Sequence, residues 1–169
     1  MTREGPRPPL EKERRVWLVS ACLVGERCRY DGDSAKAEAR AKLSLLEGDE
    51  VIPVCPEVAG GLPTPRPPAQ LVGGDGGAVL DGGARVLTDD GRDVSEAFLR
   101  GAEVALETAR RHGATHACLK ARSPSCGHGL VHSPSGLIRG DGVTAARLAR
   151  AGLKVLSDEE LDQGMADER

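Results

Sequence analysis

Thr115-His-Ala-Cys-Leu-Lys-Ala-Arg-Ser-Pro-Ser-Cys-Gly127 begins as an apolar, strand-prone run and stops abruptly at Ser-Pro-Ser-Cys-Gly. Two earlier stretches share this design. Val16-Trp-Leu-Val-Ser-Ala-Cys22 runs into Leu-Val-Gly, and Val51-Ile-Pro-Val-Cys55 runs into Pro-Glu-Val-Ala-Gly-Gly. Each places a cysteine at or just past the carboxyl end of a short β-prone run, with Gly or Pro close behind. As neighbouring parallel strands, the three would end along one edge of a sheet, where open α/β sheets bind ligands. Three thiols remote in the chain would then converge.

The rest of the chain supplies the other parts of such a sheet. Ala35 to Glu47 is rich in Ala, Lys, Glu and Leu and is expected to be a helix stopped by Gly48. Val94 to His112 carries apolar residues at helical spacing, opened by Asp93-Val-Ser-Glu96 as a capping box and closed by Gly113. Val143 to Arg150 is a third helix, Leu153 to Leu156 a fourth strand, and Ser157-Asp-Glu-Glu160 a capping box for a short last helix. Ala78 to Leu80 and Ala84 to Leu87 flank Asp81-Gly-Gly and read as a β-hairpin; His128 to Ile138 reads as another. Gly73-Gly-Asp-Gly-Gly77 lacks dinucleotide-binding spacing and is not expected between a strand and a helix. Pro53 in the second strand points to an incompletely paired side. The expected architecture is therefore α/β: one doubly wound, Rossmann-like, mostly parallel sheet of about four core strands, helices on both faces and a small hairpin insertion. A charged, Pro-rich tail over residues 1–15 precedes a single domain over 16–162.

Bulk properties exclude several functions. The 169 residues suffice for one well-filled core. A net charge of -3 and a pI near 5.8 argue against a duplex nucleic-acid partner, which needs a basic face. No apolar run is long enough to span a bilayer, and the opening residues lack an export signal, so a cytoplasmic location is expected. The composition does not fix an oligomeric state.

In a cytoplasmic chain, five cysteines are metal ligands, catalytic thiols or core residues rather than disulfides. Cys118 lies inside a strand and reads as core. Cys28, in a polar loop, reads as auxiliary or incidental. Cys22, Cys55 and Cys126 are the candidate ligands: three thiolates could hold three irons of a cubane cluster and leave one iron open for Lewis-acid chemistry. Zinc, with nitrogens from His128 or His132, and a metal-free reactive thiol are the alternatives. Glu57, in a proline-stiffened loop two residues past Cys55, is either a solvated acid or a general acid/base. Ser123 either satisfies its own turn or offers its hydroxyl to a substrate. Arg29, Tyr30 and Asp31 cluster after Cys22, and Lys120, Arg122 and Arg66 could add positive charge near the strand ends; each reads equally as a salt-bridge partner or as a ligand.

Ser20-Ala-Cys-Leu-Val-Gly25 with Arg29-Tyr-Asp-Gly32, Val54-Cys-Pro-Glu-Val58 with Gly60-Gly-Leu-Pro63 and Pro65-Arg66, and Lys120-Ala-Arg-Ser-Pro-Ser-Cys-Gly127 resemble three signatures of the thiouracil desulfurase family. The resemblance runs from Val16 to Leu156. It implies an oxygen-sensitive [4Fe-4S] cluster on Cys22, Cys55 and Cys126 with one iron not bound by protein, and catalytic roles for Glu57 and Ser123. The implied reaction removes sulfur from a small thiolated pyrimidine such as 2-thiouracil, turning thiocarbonyl to carbonyl without net redox change. A cluster-dependent sulfur carrier and a metal- or redox-sensing module are the competing expectations.

Overall fold

Val16–Ser20 (β1) alternates its side chains across a sheet, as the two-residue period of a strand demands. Trp17 and Val19 enter one core cluster, with Cys22, Leu23, Cys118 and Leu156; Leu18 enters another, with Leu106, Ala117, Leu119 and Leu148. The computed structural model describes residues 14–35, 43 and 46–161. Within them, Glu50–Val54 (β2), His116–Leu119 and Lys154–Ser157 join β1 in a four-stranded sheet whose pairs are all parallel. Numbering these last two strands β5 and β8, the order is β2-β1-β5-β8. Among the core strands this is second, first, third, fourth, a doubly wound order that reverses direction between β1 and β5. Pro53 lies on β2, an edge strand, where its missing N–H costs no ladder bond.

Pro56–Ala59 (α1) follows β2, and Ala69–Val72 (β3) pairs antiparallel with Arg85–Thr88 (β4). Gly76–Leu80 (α2) lies between them. Here the sequence expectation fails: residues 78–80 are helical, and the true partner of β4 is β3. The Asp75 side chain accepts a hydrogen bond from Ala78 N at 3.1 Å, capping α2 and removing 78–80 from the hairpin. For the same reason Gly73-Gly-Asp-Gly-Gly77 does connect a strand to a helix, contrary to expectation. Leu130–Ser133 (β6) and Gly136–Arg139 (β7) form the other expected hairpin.

Ser95–His112 (α3) and Val143–Arg150 (α4) cover one face of the sheet through Ala105, Leu106, Ala109, Ala145 and Leu148. Each such fully buried leucine contributes roughly 2 kcal/mol relative to exposure. Asp93 opens α3 differently from expectation. Its carboxylate accepts from Ser95 N at 2.9 Å, an Asx turn two residues on rather than a capping box three residues on. Gly113 closes the helix in the left-handed conformation at φ 68°. At the end of β8 the expected box is present: Ser157 N donates to Glu160 Oε1 at 3.0 Å and Glu160 N to Ser157 Oγ at 3.2 Å. The helix expected over 35–47 falls largely outside the described residues, as does most of the last helix; Leu43, Leu46 and Leu161 pack on the second face.

Two glycine contacts fix α1 on α3. A Cβ on Gly60 would stand 2.0 Å from Ala97 O, and one on Gly101 2.0 Å from Pro56 O. Neither position has space for a side chain, so backbone rests on backbone and the end of β2 is held in place.

Candidate metal centre and active site

The carboxyl ends of β1, β2 and β5 open into one cavity of about 470 Å³. Cys22, Cys55, Cys126, Glu57 and Ser123 all line it, so the candidate cluster ligands and catalytic residues reach the same space. Cys118 does not: it is fully buried beside Trp17 and Val19. Lys120, Arg29, Tyr30, Arg66 and Arg122 also border the cavity.

Each cysteine is delivered by a different local device. After β1 the chain enters a 3₁₀ turn, Ala21–Val24, ended by Gly25 at φ 107°. Cys22 therefore lies on a tight turn, its carbonyl accepting from Ala35 N at 2.8 Å. Cys55 is the residue before α1, with Pro56 pre-set for the first helical position. Glu57 falls in the first turn of α1, where a carboxylate suits the helix dipole. Cys126 sits in the loop after β5, which is pinned along its length. Lys120 N donates to Ser20 Oγ at 2.9 Å, Ala121 N to the buried Asp158 carboxylate at 2.8 Å, and Gly127 N to Ser123 O at 2.8 Å. Arg122 takes φ 67°, a conformation uncommon outside glycine and characteristic of functional loops. Its side chain pairs with Glu159.

Ser123 satisfies its own turn. Its Oγ accepts from Cys126 N at 2.8 Å and Ser125 N at 3.1 Å, and it still borders the cavity. Two accepted bonds use both lone pairs of a hydroxyl, leaving its hydrogen as the remaining function. Glu57 is paired with Arg66, Oε2 to Nη2 at 3.4 Å and Oε1 to Nε at 3.5 Å.

The electrostatics of the thiols suit a soft cationic guest. Burial pushes the Cys126 thiol up to about 12. The neighbouring Cys22 thiol, with burial, pushes Cys28 up to about 11. Cys55 is raised further, first by the Cys28 thiol beside it and then by burial. All five cysteines are free of disulfides. Thiols crowded in this way ionise when metal charge compensates them, and sulfur donors select iron–sulfur clusters, zinc or copper. Among the described residues no three His, Cys, Asp or Glu side chains stand close enough to hold one metal ion. Thiols arranged around a cavity rather than at a point fit a polynuclear cluster, each of whose irons takes one thiolate. His128, a candidate zinc ligand, is turned away: its Nδ1 pairs with Asp141 Oδ1 at 2.9 Å, and it does not line the cavity, whereas His132 does.

Cys28 reads from the sequence as auxiliary or incidental. It is buried, lines the cavity, and presents its carbonyl to the Cys55 Sγ–H at 3.7 Å. Its position beside Arg29-Tyr-Asp-Gly32 was the available signal; its proximity to Cys55 is tertiary. Ser20 and Gln70 also border the site without having been singled out.

Comparison with known proteins gives three results. A family model described as 2-thiouracil desulfurase matches residues 17–160. The uncharacterized protein YbbK of Bacillus subtilis (strain 168) is 44% identical over 148 residues, covering 86% of this chain and 97% of that protein. A solved structure of the [4Fe-4S]-dependent thiouracil desulfidase TudS is 38% identical, with a TM-score of 0.73 over 89% of this chain and 95% of that one. Among the described residues no helix is long and apolar enough to cross a membrane.

Proposed function

Because the chain belongs to the 2-thiouracil desulfurase family, we propose that it removes sulfur from a small thiolated pyrimidine, 2-thiouracil being the test substrate, with a [4Fe-4S] cluster as cofactor. The observation that carries this reading is the convergence of Cys22, Cys55, Cys126, Glu57 and Ser123 on one cavity. The similar TudS is a [4Fe-4S]-dependent thiouracil desulfidase. Cys22, Cys55 and Cys126 would hold the cluster, which when bound supplies an iron without a protein ligand, a Lewis acid and sulfur acceptor.

The remaining chemistry belongs to the chain. Hydrolysis balances as thiocarbonyl plus water giving carbonyl plus hydrogen sulfide, with no oxidant or reductant. Glu57, oriented by Arg66 at the cavity wall, takes the proton of the attacking water. Ser123, both of whose lone pairs are engaged by amides, donates its hydrogen to the substrate and holds it in register. Apolar walls from Ala21, Val54, Pro68 and Ala69 seat the flat ring. A cytoplasmic location fits a site of free thiols.

The test is anaerobic reconstitution with iron and sulfide, incubation with 2-thiouracil, and assay of both products. Uracil and sulfide should form in equal amounts, and cluster-free protein should form neither. Absence of sulfide release from fully loaded protein sinks the proposal. Sulfur that stays on the protein until a thiol acceptor is added marks a carrier instead.

A further inference from the structure

Arg66 is the most buried cation bordering the cavity, with only 4% of its side chain exposed. A cation at a binding site invites the reading that it contacts substrate. The hydrogen-bond inventory argues otherwise. A guanidinium has five N–H donors, and here Nη1 meets Pro63 O and Thr64 Oγ1 at 3.1 Å each, Nη2 meets Cys28 O at 2.8 Å and Glu57 Oε2 at 3.4 Å, and Nε meets Glu57 Oε1 at 3.5 Å. Four hydrogen bonds and an ion pair with Glu57 hold the group to the protein itself. The Arg66 amide is used as well, donating to Tyr30 O at 2.8 Å.

These bonds tie together three segments: the loop of Cys28 and Tyr30, the first turn of α1 with Glu57, and the proline-rich turn at residues 63–65. The Cys28 carbonyl is shared between Arg66 Nη2 and the Cys55 Sγ–H. Resting on the desulfurase reading, we infer that Arg66 is a positioning residue: its fork locks the Glu57 carboxylate and the Cys28 loop into one frame, and it does not contact the substrate. A planar fork suits this task; the single ammonium of lysine cannot span the same acceptors.

The experiment compares wild type with Arg66→Lys and Arg66→Ala, each reconstituted anaerobically. Both variants should retain the iron content of wild type. With 2-thiouracil, kcat should fall about 100-fold in both while KM stays within about threefold, as expected for a misplaced rather than an absent group. Added guanidinium ion should restore part of the kcat of Arg66→Ala. In cluster-free protein, hydrogen–deuterium exchange should accelerate in peptides covering residues 26–32 and 55–66 for both variants. A raised KM with intact kcat would make Arg66 a substrate contact. Full activity in Arg66→Lys would show that charge alone suffices. Unchanged exchange would remove the brace. Each of these overturns the inference. If Arg66→Ala does not fold, Arg66→Lys carries the decision. Should wild type release no sulfide, the desulfurase reading fails by itself, and the exchange measurement still decides whether Arg66 braces the loops.

Discussion

Two kinds of contact made by α1 obey different rules. Cys55 and Glu57 border a cavity with other thiols, Arg66 and Ser123, and are organised by directional polar bonds. Pro56 and Gly60 meet α3 at Gly101 and Ala97, where no side chain fits and only close packing operates. Substitutions of the cavity side chains should remove chemistry and spare the fold. Substitutions at the glycine contact should cost the fold first and the chemistry as a consequence. The kind of contact, not position along a four-residue helix, therefore separates function from stability.

Glu57→Gln should give the largest effect. It removes the proton acceptor but retains shape, so kcat should drop about 1000-fold, close to 4 kcal/mol of barrier. Iron content and Tm should match wild type; a kcat within threefold of wild type would show that another group takes the proton. Gly101→Ala tests the packing contact. A methyl forced against Pro56 O should destabilise the protein by about 3 kcal/mol, or roughly 10 °C in Tm of cluster-free protein. A Tm unchanged by this substitution would dissolve the contrast.

Two further cysteines sharpen it. Cys118→Ser inserts a hydroxyl among Trp17, Val19 and Leu156, costing about 2 kcal/mol by thermal melting with no loss of iron. Cys28→Ala should have the smallest effect. The Cys28 carbonyl, which Arg66 and Cys55 use, survives the change, so iron per chain should stay at the wild-type level. Loss of iron in this variant would promote Cys28 to a ligand.

Much of this was legible in the sequence because the signals are local. Three β-prone runs ending in cysteine, Gly113 after a helical pattern and Ser157 three residues before Glu160 each carry their cause within a few residues. The hairpin at 78–87 was misread because capping by Asp75 outweighed the Asp81-Gly-Gly turn signal. Asp93 was assigned the wrong partner because an Asx turn and a capping box differ by a single residue of reach. The placement of Cys28 and the bonds of Arg66 were hidden for another reason. Arg66 and Cys28 are 38 residues apart, and their bond exists only after β1 and β2 pair.

The central claim is that Cys22, Cys55 and Cys126 jointly hold one iron–sulfur cluster at the ends of three parallel strands. Iron and acid-labile sulfide should be measured on anaerobically purified wild type and on Cys22→Ala, Cys55→Ala and Cys126→Ala. The account predicts about four of each per wild-type chain and loss of the intact cluster in every variant. Full iron and sulfide retained in any of the three, or a wild type that carries zinc instead, would contradict it.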